Sequence, residues 1–157
     1  MKITLILVGK TGKRYLSEAF DEYSKRLTRY VRFEVRVLPE LRSTKSMPVE
    51  VQLQKEAETI LAALGDSQEV LLLDEQGRQP SSMELAAELE HRMVRGQRDI
   101  TFVVGGPYGF APAVYQRANG LLSLSRLTFS HQMVRVIFAE QLYRAFTIIN
   151  GEPYHHQ

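Results

Sequence analysis

Apolar and polar positions switch between two periods along this chain, and the switching predicts a succession of strands and helices. Residues 2–8, Lys-Ile-Thr-Leu-Ile-Leu-Val, form a β-branched and leucine-rich run that reads as a first strand. Tyr15, Leu16, Ala19, Phe20, Tyr23, Leu27 and Tyr30 then recur at helical spacing. Phe33, Val35 and Val37 alternate with Arg32, Glu34 and Arg36, the period of a strand with one wet face, which predicts a place near a sheet edge. Leu38 to Met47 reads as a loop, and Val49 to Leu64 as a helix stopped by Gly65. Val70-Leu71-Leu72-Leu73 is polar on neither side, as expected of a central strand covered by helices on both faces, and Asp74-Glu75-Gln76-Gly77 reads as the turn that leaves it.

Ser81-Ser82-Met83-Glu84 has the form of a capping box, opening a helix through Leu85, Leu89 and Met93 that Gly96 ends. A strand at 100–104, a short helix from Pro112 to Ala118, a short strand near 121–124 and a helix from Gln132 to Ile149 complete the pattern. The alternation predicts one α/β domain over residues 1–157, with a mostly parallel sheet and helices on both faces. In open α/β sheets ligands bind outside the carboxyl ends of the strands. The segments Leu73-Asp74-Glu75, Gly105 to Gly109 and Leu124 to Phe129 leave such ends and can converge on one small molecule.

At 157 residues one core is the default, burying roughly 70% of the surface the unfolded chain exposes. No apolar run reaches the roughly 20 residues a membrane span needs, which points away from a membrane protein. The opening residues read as a strand and not as a signal peptide. The chain has no cysteine, which excludes disulfides and thiolate chemistry and fits a cytoplasmic protein. Net charge is only +2, but residues 1–45 carry 11 Lys and Arg against 5 Asp and Glu. Lys10, Lys13, Arg14, Lys25, Arg26, Arg29, Arg32, Arg36, Arg42 and Lys45 thus predict a basic surface suited to a polyanion such as nucleic acid, unless their counter-charges lie beside them.

Candidate chemistry concentrates in the last third. Gly105-Gly106 carries no Cβ and lets a ligand approach the main chain, while Pro107 removes a donor. A phosphate cradle fits poorly, since no Gly-Lys-Ser/Thr follows and the spacing is not that of a dinucleotide fingerprint. The alternatives are a ligand without phosphates and a tight turn with nothing bound.

Taken together, Val103-Val104-Gly105-Gly106-Pro107-Tyr108-Gly109, Leu122-Ser123-Leu124-Ser125-Arg126-Leu127-Thr128-Phe129-Ser130-His131-Gln132-Met133-Val134-Arg135, Glu140-Gln141-Leu142-Tyr143-Arg144-Ala145 and the tail Pro153-Tyr154-His155 resemble the RlmH family, and the resemblance runs the full length. These are small SPOUT-class methyltransferases that modify large-subunit ribosomal RNA. The resemblance implies a homodimer whose C-terminal half is tied in a deep trefoil knot. It also implies S-adenosylmethionine held by Leu73, Gly105, Gly106 and the run Leu124, Ser125, Arg126, Leu127, Thr128, Phe129. The expected reaction is methylation of N3 of a pseudouridine in the helix 69 loop of 23S rRNA, on the assembled ribosome. One departure is visible: the family usually has proline where this chain has Ser130, itself a good helix cap.

A sulfonium donor carries its own activation and needs no metal; with few histidines and no ligand-spaced cluster, no metal is expected. An imide nitrogen becomes a nucleophile only on losing its proton, so a base or an anion-stabilising cation is required. His131, Arg135, Glu140, Tyr143, Arg144, Tyr154 and His155 are the candidates. His131, at a helix start that favours its neutral form, is either the base or a loop anchor. Glu140 and Arg144 stand four apart on a helix and can form a structural ion pair, or Arg144 can hold an RNA phosphate or an enolate-like oxygen. The resemblance implies that the tail folds over the active site. The other class of function open to this sequence is a non-catalytic ribosome-binding or assembly factor with the same fold.

Overall fold

The computed structural model describes residues 1–42 and 44–156. Five strands form one parallel sheet in the order β2-β1-β4-β3-β5: β1 (Lys2–Val8), β2 (Arg32–Leu38), β3 (Val70–Arg78), β4 (Asp99–Val104) and β5 (Gly120–Leu122). The helices are α1 (Arg14–Leu27), α2 (Val49–Leu64), α3 (Ser82–Val94), α4 (Pro112–Arg117) and α5 (Met133–Ile149).

The period-two pattern of the buried strands sorts the core into two layers. Ile3, Leu5 and Leu7 of β1 and Ile100, Phe102 and Val104 of β4 face α1, α3 and α5, where the Phe102 and Phe138 rings meet at 4.8 Å. Ile6, Val8, Val70, Leu72 and Val103 face the other way, onto Ala57, Ile60 and Leu64 of α2 and Val114 of α4. Each crossover that steps toward β2 runs through the first layer, and each that steps toward β5 runs through the second. All four connections therefore share one hand, as right-twisted parallel strands require.

The strand β2 lies at an edge and β3 in the interior, as their patterning implies. The Ser81 capping box is present in full, with Ser81 Oγ accepting from Glu84 N and Glu84 Oε2 from Ser81 N. Ser130 Oγ accepts from Met133 N at 3.1 Å, so the serine caps the turn that opens α5 although the helix proper starts at Met133.

The polar segment Asp74 to Gly77, expected as a turn, belongs instead to β3. The strand runs on to Arg78 through a register shift, so that both Leu73 and Arg78 pair with Leu122, and Ser123 N donates to Arg78 O at 2.8 Å. Gly77 permits this. A Cβ there would meet the main chain of Leu121 and Leu122 at 2.7 Å, so β3 and β5 close only around a glycine. β5 ends at Leu122, leaving Ser123 and Leu124, expected in a strand, to begin the next loop. Asn119 fastens the other end of β5, accepting from Val70 N and donating its own N–H to Val70 O, both at 2.8 Å.

Candidate active site

All five strands point one way, so their carboxyl ends share one rim. After β3 the chain leaves toward one layer of helices and after β4 toward the other, and adjacent strands diverging in this way open a crevice. A cavity of about 430 Å³ lies there, within the range of small-molecule sites. Its walls come from the end of β3 (Leu73 to Gln76), the turn after β4 (Val104 to Phe110), Tyr115 of α4 and the segment from β5 to the start of α5.

Eight of the residues expected at a cofactor surround this cavity: Leu73, Gly105, Gly106, Leu124, Ser125, Leu127, Thr128 and Phe129. Arg126 lies in the same loop but is not among the lining residues. Ser125 shapes the loop, its Oγ accepting from Leu127 N at 2.9 Å while its carbonyl accepts from Ser123 Oγ at 2.9 Å. Thr128 Oγ1 donates to Glu75 Oε2 at 3.1 Å, joining the loop to the end of β3. On the far wall a Cβ on Gly105 would meet the Phe110 ring at 2.9 Å, and Gly106 N donates to Glu56 Oε1 at 3.3 Å. Glu56 is held above the usual carboxylate range by burial; the Gly106 amide opposes that shift and the charge of Glu40 adds to it.

Of the seven residues expected to do chemistry, only His131 lines the cavity. Its imidazole is held below the usual histidine range, first by burial and then by Arg135, and so stays neutral more readily. Arg135 does not line the cavity. The guanidinium is fully buried away from the cavity, donating to Val8 O and Gly9 O at 2.8 Å and to Thr11 Oγ1 and His131 O at 3.1 Å. Those acceptors engage it in tying the end of β1 to α5, and Gln132 extends the tie by accepting from Gly12 N at 2.8 Å.

The remaining five form a second cluster further along α5. Glu140 Oε1 accepts from Arg144 Nη2 at 2.6 Å and from Tyr154 Oη at 2.9 Å, and Arg144 Nη1 lies 3.1 Å from His155 Nδ1. The Arg144 guanidinium sits over the Tyr154 ring at 4.8 Å, and Tyr154 meets Tyr143 edge-on at 4.8 Å. Burial raises the Tyr154 hydroxyl well above its usual value, with Tyr23 and Glu140 adding to the effect, so it remains a proton donor. The ion pair that helical spacing allowed is therefore present. The tail does not cover the cavity of its own chain. Ten residues of helix separate Val134 at the cavity from Arg144, about 15 Å at the α-helical rise, and Tyr154 packs beside α1.

Sequence reasoning assigned no role to Asp74, Glu75 or Tyr115. Tyr115 Oη donates to Asp74 Oδ2, and burial with this bond pushes the phenol up to about 12. The strand-end rule pointed at the Leu73-Asp74-Glu75 segment, but nothing in the pattern of α4 announced a cavity residue.

The basic residues divide. Arg14, Arg26 and Arg36 pair with Glu18, Glu22 and Glu34. Lys10 and Lys13 are exposed and form no ion pair among the described residues, in the segment that Arg135 and Gln132 tie to the start of α5.

A cleft at the diverging ends of parallel strands, walled by glycine main chain and a loop running into the last helix, marks an α/β protein that binds a small molecule at the carboxyl ends of its sheet. Residues 1–155 match the family described as "Predicted SPOUT methyltransferase", and the chain belongs to that family. Within it, the relatives are those of the RlmH branch. The chain is 51% identical to ribosomal RNA large subunit methyltransferase H of Porphyromonas gingivalis and 50% identical to that of Parabacteroides distasonis, in each case over 100% of both chains. A crystal structure of a probable methyltransferase from Bordetella pertussis Tohama I shares the fold, with a TM-score of 0.56 at 13% identity and 92% of each chain covered.

Proposed function

We propose that this protein is a single-domain, S-adenosylmethionine-dependent methyltransferase acting on N3 of a pseudouridine in the helix 69 loop of 23S rRNA, on assembled ribosomes in the cytoplasm. The observation that carries the reading is the cavity at the joined ends of β3, β4 and β5, in a chain half identical throughout to proteins named for methylating large-subunit rRNA.

The residues present fit the cofactor. The cavity is of small-molecule size, the Gly105-Gly106 turn allows main chain to approach a ligand closely, and Leu73, Leu124 and Leu127 offer apolar faces for a purine. When bound, S-adenosylmethionine supplies a methyl group on a sulfonium whose loss leaves a neutral thioether. The protein must then place the acceptor nitrogen and take its proton. His131 stands at the cavity in a form biased toward neutrality and is the base this geometry favours. Lys10 and Lys13, exposed on the segment tied to the start of α5, hold phosphates of a loop whose base is splayed out.

The protein works as a homodimer, and the second copy supplies what one chain leaves apart: Arg144, Tyr154 and His155 of one subunit meet the cavity of the other. The separation of the two clusters along α5 supports this arrangement, since a tail that covers an active site cannot cover its own. The knot has support in the path of the chain. β5 is laid beside β3 on the side away from β4, and the chain then returns to the opposite layer as α5.

Purified protein incubated with ribosomes and labelled cofactor, followed by mass mapping of helix 69, tests the function. One methyl group on the pseudouridine base is expected with ribosomes and none with naked RNA. A methyl group elsewhere overturns the substrate.

A further inference from the structure

Within one chain the cavity carries negative charge with no Lys or Arg lining it, and the Arg144 that the proposed second copy brings comes already paired with its own Glu140. Asp74 and Glu75 are among its lining residues, no Lys or Arg is, and His131 is held toward its neutral form. Neither carboxylate forms an ion pair among the described residues, whereas Glu34, Glu69, Glu88 and Glu140 each face a Lys or Arg. The hydrogen bonds that fix Asp74 and Glu75 come from neutral donors. Tyr115 Oη and Gln76 N donate to Asp74, the latter at 2.8 Å, and Thr128 Oγ1 donates to Glu75. Such bonds orient a carboxylate without cancelling its charge. Asp74 is half-buried and Glu75 is exposed at the rim, so the field of Asp74 is the less screened. A sphere of the cavity's volume, about 430 Å³, is about 9 Å across, comparable with the Debye length of about 8–10 Å in ordinary buffers. A ligand seated anywhere inside feels Asp74.

We infer that Asp74, assisted by Glu75, is the specificity-determining counter-charge through which this cavity prefers a cationic sulfonium to the neutral thioether left after transfer. This rests on the cofactor reading above and adds to it. Two chemically similar ligands differ by one positive charge at sulfur, and the apolar and main-chain walls treat them alike; the carboxylates do not. The same charge favours exchange of spent product for fresh donor, because transfer removes the attraction that held the sulfonium.

Titration calorimetry with S-adenosylmethionine and with S-adenosylhomocysteine, on the wild-type protein, Asp74→Asn and Glu75→Gln, tests the inference. These substitutions keep shape and an acceptor oxygen while removing charge. Asp74→Asn is expected to weaken the sulfonium ligand roughly three- to ten-fold and to leave the thioether within about two-fold, with a smaller effect in the same sense for Glu75→Gln. In the wild-type protein, raising salt from about 0.05 to 0.5 M lowers the ratio of the two affinities in the same direction. Equal weakening of both ligands, or an affinity ratio unmoved by substitution and by salt, overturns the inference while the cofactor reading stands. If neither ligand binds the wild-type protein, the cofactor reading itself falls and the inference with it. Should Asp74→Asn fail to fold, the ratios for Glu75→Gln and for the salt series decide the matter.

Discussion

At the start of α5 the candidate site is built largely from main chain, small side chains and apolar surface, with one histidine and the carboxylates of Asp74 and Glu75 along its wall. Further along the same helix, Glu140, Tyr143 and Arg144 form a close set with Tyr154 and His155 of the tail, made of one ion pair, hydrogen bonds and ring contacts. The first region recognises by shape and by what glycine leaves open. The second holds charge in place with hydrogen bonds at 2.6 to 3.1 Å. On the proposed reading the contrast is a division of labour: a ligand that brings its own reactivity needs a fitted cleft, whereas the acceptor whose proton His131 takes needs polar groups arranged beforehand to orient it.

Arg135 is the buried cation at the start of α5, behind the first region, and replacing it breaks the contrast most severely. Arg135→Met leaves Val8 O, Gly9 O and Thr11 Oγ1 without their donor. A loss of about 3–4 kcal/mol is expected, a drop in melting temperature of roughly 10 °C by circular dichroism. Arg135→Lys recovers only part of it, because one ammonium cannot span both carbonyls. A wild-type melting curve for the methionine variant would show that the guanidinium does not staple β1 to α5.

The division itself is sharpened by Tyr154→Phe, which removes the hydroxyl from Glu140. Methyl transfer to ribosomes is expected to fall about ten-fold or more, with cofactor affinity within about two-fold of wild type. Weakened cofactor binding with intact transfer would reverse the roles of the two regions. Thr128→Val acts on the other side of the line. Losing the bond to Glu75 frees the cofactor loop, and calorimetry is expected to show cofactor affinity reduced roughly two- to five-fold with little change in melting temperature.

The smallest effect concerns pH. The folded-state value of His131 lies below the unfolded value of 6.5, so between the two the unfolded chain binds more protons and stability rises with pH. Acidification from pH 7 through 6.5 therefore costs stability, and above that range the cost is absent. Denaturant titrations at pH 5.5 and 7.5 are expected to differ less for His131→Gln than for the parent chain. Identical differences would remove His131 as the source.

Much of the fold was legible because the strands and helices here keep their periods. The alternation in β2 marked an edge, and the unbroken apolar run in β3 marked an interior strand. The same periods misled at Asp74 to Gly77, where the strand continues through polar residues because its partner is the main chain of Leu121 and Leu122, which leaves no mark on the polarity of β3. The cavity loops were legible through the strand-end rule together with the glycine pair. The role of Arg135 was not, because an arginine that satisfies backbone carbonyls leaves the same trace in sequence as one that faces a ligand. Nor could spacing show that the tail packs against the segment that joins α1 to β2, since a contact between residues some 120 positions apart, such as Tyr30 with Glu152, has no local signature.

A binding surface made largely of peptide groups is inherited along with the path of the backbone. Substitutions elsewhere can accumulate without erasing it, provided the turn at Gly105-Gly106 and the close approach at Gly77 survive. Such a path does not depend on most of the letters along it, for the Bordetella pertussis structure follows the same fold with 13% of them in common.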